Sequence, residues 1–333
     1  MPKAQKILLH YAFPERLGPE ISERFPDIEL MQCSSCEGLA SALHAFTPDI
    51  CFSIREVGKS DIIRNALMNA NSLKWIANGG SGTDHLGAWD PKKLTVTNSA
   101  GAASDVMAQY VIGAVFSFNM NFPQFCADKI ARRWRSEASV SDLTTKSILI
   151  IGLGKIGQAI ARLARRVGLR VVSVDVNPEP PVCVDQHVTP KMLLSVVNDA
   201  DFVTVCVPSN SSTRGMIDAS VLQAMKPDAV FINVGRGDLV DEKALFAALK
   251  ERSIKGAALD VFATEPLATD SPLWGLDNVM LSPHCSSVFD GWERNAIRMF
   301  CNNIERWQAN LPLQNVVDPL ENSLQNGARN DET

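Results

Sequence analysis

The stretch that most restricts what this chain can become is Ser147-Ile-Leu-Ile-Ile-Gly-Leu-Gly-Lys-Ile-Gly157. Its apolar, largely β-branched first half reads as a buried strand that the glycines terminate. Ile156, Ala159, Ile160, Leu163 and Val167 then recur at helical spacing, and Gly168 closes the helix. A second strand over 170–174 delivers Asp175 at its carboxyl end. Strand, Gly152-x-Gly154-x-x-Gly157 turn, helix, strand and terminal acid is the order of a dinucleotide-binding βαβ unit. Gly152 allows the tight turn, Gly154 lets a pyrophosphate approach the backbone, and Gly157 lets the helix pack close. The helix start offers unpaired N–H groups and a partial positive charge to the phosphates.

Because this fingerprint begins so far into the chain, the residues before it belong to another domain. There, strands are expected at 6–10, 27–31, 49–54, 74–77 and 94–97, with helices at 14–25, 37–45 and 61–68. Such alternation with short loops predicts a parallel sheet covered by helices on both faces. Residues 102–135 read as a long helical stretch broken near Pro123, with so little polar face that it lies under a sheet or in a subunit interface. Beyond the fingerprint, strands at 202–207, 229–234, 256–261 and 279–282 alternate with helices at 190–198, 219–225 and 242–252. A last long helix, 291–308, is placed back against the first domain. The tail after 319 is polar and rich in glycine and asparagine, and is expected to be disordered.

A length of 333 residues suits two such domains, and a net charge of −5 argues against a nucleic-acid or anionic-membrane surface. No apolar run approaches the roughly 18 residues of a membrane span, and the amino terminus runs into a strand rather than a signal peptide. Cysteines such as Cys51, Cys206 and Cys301 lie in apolar stretches, which suits free thiols in a reducing cytoplasm. Cys33-Ser-Ser-Cys36 has no second pair and no histidine at ligand spacing, so it reads as a loop pair rather than a metal or redox site.

Three strand ends hold the candidate chemistry. Arg236 follows the strand at 229–234, where open α/β sheets bind ligands; its planar fork suits a carboxylate, although Asp238 or Asp241 would also pair with it. Asp260 ends the next strand, and Glu265 lies in the loop after it, beside Pro266. These acids orient a cofactor amide or polarise a base, or else cap a turn. His284 follows Pro283 beyond the last strand, and its proton can move near neutral pH. With a glutamate it makes an acid–base pair; alone it would be a satisfied turn histidine.

Taken together, GLGKIG with Asp175, MKPDAVFINVGRGDLVDEKALFAAL, GAALDVFATEPL and LSPHCSS closely resemble the D-isomer-specific 2-hydroxyacid dehydrogenases. Gly80-Ser-Gly82-Thr-Asp84-His85 and Asn98-Ser-Ala-Gly101 are similar to that family's substrate-domain loop and hinge. The resemblance implies two doubly wound parallel-sheet domains. A Rossmann NAD-binding domain (99–284) is inserted into a flavodoxin-like substrate domain (1–98 and 285–333). It implies NAD as cofactor, a 2-hydroxy or 2-keto acid as substrate, and a homodimer. Arg236 would grip the substrate carboxylate, His284 would exchange the proton, and Glu265 would hold the imidazole. Gly152, Gly154, Lys155, Ile156, Gly157, Asp175, Val207, Pro208, Val234, Gly235 and Asp260 would line the cofactor, with Asp260 towards the nicotinamide. The backbone N–H groups of Ser81 and Gly82 would add donors to the substrate carboxylate. By its place in the loop after the third strand, Arg55 is either a substrate-binding residue or a solvated one, and Trp134 and Trp292 are further candidates to shape the pocket. Two stretches depart from the family pattern: Phe118-Asn-Met-Asn121, where an arginine is common, and Cys285-Ser-Ser287, where an aliphatic and small residues are usual. A cofactor-sensing protein like the family's corepressors, or a formate- or phosphite-oxidising relative, would use the same scaffold.

Overall fold

The computed structural model describes residues 5–54, 59–180 and 184–319. The chain forms two compact units, one from residues up to 102 together with those from 290 onward, the other from 103–289. The first unit contains β1 (Lys6–His10), α1 (Gly18–Arg24), β2 (Glu29–Cys33), α2 (Cys36–Phe46), β3 (Ile50–Ser53), α3 (Ser60–Met68), β4 (Trp75–Asn78) and β5 (Thr95–Asn98). Its five strands are all parallel, in the order β2-β1-β3-β4-β5. Alternate side chains of a strand point to opposite faces, so β1 feeds two cores at once. Ile7 and Leu9 pack with Leu17, Ile21, Phe52 and Trp75 on one face, and Leu8 packs with Leu39, Leu43, Ile63 and Leu67 on the other.

The helix expected over 14–25 is instead a short 3-10 turn at Pro14–Arg16 followed by α1. Each piece starts with a proline in its first turn, where a missing N–H costs no hydrogen bond. Cys33 and Cys36 do not form a loop pair: Cys33 ends β2, Cys36 opens α2, and both thiols are buried.

The second unit begins with α4 (Ser104–Asn119) and α5 (Phe122–Ile130). It continues through β6 (Ser147–Ile151), α6 (Lys155–Arg166), β7 (Arg170–Val174), β8 (Gln186–Val188), α7 (Leu193–Val197) and β9 (Phe202–Val205). It closes with α8 (Ala219–Ala224), β10 (Val230–Asn233), α9 (Glu242–Lys250), β11 (Gly256–Leu259) and β12 (Val279–Leu281). The seven parallel strands run β12-β11-β10-β9-β6-β7-β8. The strand β6 is buried throughout: Ile148 and Ile150 pack with α4 and α6, while Leu149 and Ile151 pack with α7, α8 and α9. The final helix, α10 (Trp292–Gln308), returns to the first unit, where Ala296, Ile297, Phe300 and Ile304 cover the face that carries Ile7 and Leu9.

The long helical stretch breaks at Asn121, held at φ 54°, just before Pro123, and it stops at Ile130 rather than near 135. Asn119 and Asn121 donate from their amides to the carbonyls of Ser141 and Ser139, tying the following segment back to the break. The edge strand β8 escaped the sequence reading because three residues, Gln186-His187-Val188, carry no legible alternation. The polar tail from 320 lies outside the described residues.

At the amino-terminal edge of the second sheet, the buried Asp201 joins β6 to β9. One carboxylate oxygen accepts from the Ser147 amide at 2.8 Å, the other from Lys226 at 2.6 Å and Lys146 at 3.3 Å. Burial alone would raise this carboxyl's pKa, but the Lys226 and Ser147 hydrogen bonds and the two lysine charges outweigh it and hold it below the usual aspartate value. A folded-state pKa below the unfolded one means stabilisation that is present above about pH 4 and is lost as pH falls through the folded pKa. Asp201→Asn should therefore lower the urea midpoint at neutral pH, and its deficit relative to wild type should shrink towards about pH 3. Urea titrations of both proteins across that range check this.

Candidate active site

In the second sheet the chain leaves β6 towards β7 on one side and returns through β9 on the other, so the carboxyl ends of β6 and β9 flank a crevice. The glycine turn sits there. Gly152 has φ 98°, and a side chain on it would strike Val207, the first residue of the loop beyond Cys206. A Cβ on Gly157 would lie 2.0 Å from the Gly152 carbonyl, so only glycine lets α6 seat on the turn. At Gly154, by contrast, nothing lies within 4 Å of where a side chain would begin. That open space beside the N-terminus of α6 fits a diphosphate. Lys155 starts the helix, and burial lowers its pKa. The Ile156 side chain turns into the core, which leaves its backbone as the part able to face a ligand.

Asp175 braces this turn as well as ending β7: it accepts from the Leu153 amide at 2.6 Å and the Asn177 amide at 2.9 Å. It shares a cavity of about 460 Å³ with Leu153, Gly154, Gln158, Asn177, Glu179, Pro180 and His187. His187 and Glu179 are residues that the sequence did not point to. His187 reaches the cavity because β8 pairs with β7; its ring nitrogens lie 2.8 Å from Ser173 Oγ and 2.8 Å from the Asn177 carbonyl.

The other candidates follow three neighbouring strands. At the end of β10, the buried Asn233 donates to the Arg236 carbonyl and accepts from the Gly235 amide, fixing the turn through Val234 and Gly235. Sequence reasoning passed over Asn233. Arg236 is exposed, its Nη1 donates to the Gly235 carbonyl at 2.8 Å, and no carboxylate among the described residues pairs with it. Asp238 instead takes Ser209 and Arg214, and Asp241 caps α9. Gly237 lies so close to the loop after β11 that a Cβ would sit 1.8 Å from the Phe262 carbonyl carbon.

Asp260, after β11, is fully buried. Its carboxylate accepts from Ser282 Oγ at 2.5 Å and from the amides of Cys285 and Ser286, each at 2.9 Å; its carbonyl accepts from the His284 amide at 2.8 Å. The aspartate thus holds the histidine loop. His284, at φ 51°, turns its Nδ1 to Glu265 Oε2 at 2.7 Å, and Glu265 Oε1 accepts from the Phe262 amide. The His284 side chain is 43% exposed, so its Nε2 edge is open. Cys285 is exposed and Ser286 is buried. Val207, Pro208, Val234 and Gly235 all lie at the same edge, although the Val234 side chain belongs to the core.

In the first unit, the Gly80–Gly82 turn is held by the buried Asn78, which donates to the carbonyls of Gly80 and Gly82, and by Asn98, which donates to that of Ser81. The amides of Ser81 and Gly82 have no partner among the described residues, an arrangement suited to a carboxylate. Arg55 lies outside the described residues. Trp292 packs on the core of the first unit, and Trp134 is 92% exposed.

Residues 112–286, the greater part of the second unit, match the sequence model of the D-isomer specific 2-hydroxyacid dehydrogenase NAD binding domain. The chain belongs to this family. It is 33% identical to a D-3-phosphoglycerate dehydrogenase of Methanocaldococcus jannaschii over 77% of its own length and 50% of that protein's, so it spans about half of that relative. It is 31% identical to a glyoxylate reductase of Korarchaeum cryptofilum, covering 71% of this chain and 73% of the relative. A crystal structure of a D-isomer specific 2-hydroxyacid dehydrogenase from Xanthobacter autotrophicus, in complex with NADPH and MES, superimposes with a TM-score of 0.81 at 28% identity, covering 96% of this chain and all of that one. The family's NAD-binding domain therefore corresponds to the seven-stranded sheet, and the two parallel-sheet units are its architecture.

The open space at Gly154 gives a direct test. Gly154→Val should leave the melting temperature nearly unchanged, because the new side chain meets no protein atom at its root. It should weaken NADH binding at least about 100-fold by filling the space of the diphosphate. Fluorescence titration with NADH beside a thermal melt reads both.

Proposed function

We propose that the protein transfers hydride between NAD(H) and a small D-2-hydroxy acid or its 2-keto acid, with His284 as proton donor and acceptor. The observation that carries the reading is the bond from His284 Nδ1 to Glu265 Oε2 at 2.7 Å, which leaves the opposite ring nitrogen of an exposed imidazole facing outward. With Nδ1–H committed to the carboxylate, Nε2 is the atom that exchanges a proton with the substrate oxygen. Bound nicotinamide supplies the hydride for reduction and accepts it in oxidation. In reduction, Nε2–H passes its proton to the carbonyl oxygen as the alkoxide forms; in oxidation, the neutral Nε2 takes the hydroxyl proton. The Arg236 fork, which no carboxylate among the described residues occupies, binds the substrate carboxylate beside that oxygen and orients the carbonyl carbon. The names of the two archaeal relatives make glyoxylate, in reduction, and D-3-phosphoglycerate, in oxidation, the first substrates to try.

NADH is the preferred form of the cofactor in this reading. Asp175 and Glu179 line the cavity beyond β7, and among the described residues neither lysine nor arginine lines it. A 2′-phosphate would face two carboxylates with no cation beside it. Self-association through the second unit is supported by Phe116 on α4 and by Phe122, Ile130, Trp134 and Val140 between α4 and β6, all exposed apolar residues. Free thiols throughout the described residues suit a reducing cytoplasm.

A panel of short 2-keto acids with NADH, followed by absorbance, tests the activity; a corepressor-like sensor would bind NADH without turnover. The ratio of kcat/KM for NADH to that for NADPH should exceed about 10, and Asp175→Ser should narrow it. Arg236→Lys keeps the charge but loses the paired donors, so kcat/KM for the keto acid should fall at least about 30-fold, with NADH affinity nearly unchanged. Normal keto-acid reduction by the lysine variant would remove Arg236 from the carboxylate site.

A further inference from the structure

We propose that Tyr110 and Ser282 are positioning residues for the reaction, forming with Asp260 a one-way hydrogen-bond chain that fixes His284 in its working orientation. The proposal rests on the reading of His284 as the proton donor. Tyr110 lies on α4, far in sequence from the strand ends, yet its hydroxyl is 2.6 Å from Ser282 Oγ. Ser282 Oγ in turn lies 2.5 Å from Asp260 Oδ1. A serine hydroxyl has one proton. Ser282 gives it to the carboxylate, so Tyr110 must be the donor to Ser282, and the direction of the whole chain is set. Burial raises the phenol's pKa, which keeps its proton in place, although the Ser282 bond works against that rise.

The far end of the chain acts on the histidine. Amides of three successive residues, His284, Cys285 and Ser286, all end on Asp260, through its carbonyl or its carboxylate. His284 needs this many restraints because φ 51° is uncommon for a residue with a Cβ and persists only where its surroundings over-determine it. Asp260 is fully buried, so the orientation of its carboxylate depends on the donors it receives. Two come from the loop that it positions. Ser282 is the third, and Tyr110 ties that hydroxyl to a helix outside the loop. Successive donors in one direction polarise and strengthen each other. Loss of the phenol hydroxyl would leave the Ser282–Asp260 bond without its tie to α4, and His284 would then be held by Asp260 and Glu265 alone.

Tyr110→Phe preserves the ring and its packing. It should lower kcat for keto-acid reduction about five-fold while KM for NADH stays within about two-fold. Ser282→Ala should lower kcat further, and Ser282→Thr, which keeps the hydroxyl, should restore it. Because the two residues act in series, the double variant Tyr110→Phe/Ser282→Ala should be no slower than Ser282→Ala alone. A second readout needs neither cofactor nor turnover: in the free protein labelled with 15N-histidine, the His284 imidazole should show Nδ1–H in wild type and a shift towards averaged tautomers in Tyr110→Phe and Ser282→Ala. A Tyr110→Phe enzyme at wild-type kcat, rate losses that multiply in the double variant, or an unmoved His284 spectrum in the free protein would each overturn the chain. A wild-type protein that turns over no keto acid would instead overturn the functional reading, and the spectrum of the free protein would still test the chain.

Discussion

Every strand of a parallel sheet delivers its carboxyl end to the same edge, and the chemistry of the second unit depends on that constraint. β6 supplies the glycine turn, β7 supplies Asp175, β9 supplies Val207, and β10, β11 and β12 supply Arg236, Asp260 with Glu265, and His284 in turn. Residues separated by long stretches of sequence become neighbours because the strands that carry them pair in register. Helices on both faces complete the burial that a parallel sheet requires, and β6, buried at every position like β9, β10 and β11, is the strand from which the order reverses.

An edge by itself does not make a site, because loops leaving strand ends are free to splay. Here they are held by close approach and by buried polar groups. Gly237 lets the loop after β10 lie directly on the backbone after β11, and Glu242 accepts from the Ala263 amide to hold the same junction. Asn233 shapes the Arg236 turn, and Asp260 gathers the amides of the histidine loop. The outermost side chains, Arg236 and His284, are exposed, while Asn233 and Asp260, which shape the turns that carry them, are buried. Buried polar groups earn that role only when satisfied, and each of these is hydrogen-bonded.

The dinucleotide fingerprint, the two parallel sheets, the strand-end placement of Arg236, Asp260 and His284, and the neighbourhood of Glu265 were legible in the sequence for a definite reason. Each rests on local signals: apolar periodicity, glycine spacing, and a polar residue at the end of an apolar run. Three-dimensional packing decided the rest. β8 exists because a short polar segment finds β7 to pair with, which brings His187 into the cavity beside Asp175. Prolines divide the first helix, and a left-handed asparagine divides the long one. Asp260 and Tyr110 show the difference most clearly. As a sequence, the aspartate is an acid after a strand and the tyrosine one apolar-face residue of a helix; neither records the other. Which donors reach a buried carboxylate is set by where a distant helix crosses the sheet, and only the folded chain brings the phenol to the serine, and the serine with the three loop amides to one aspartate.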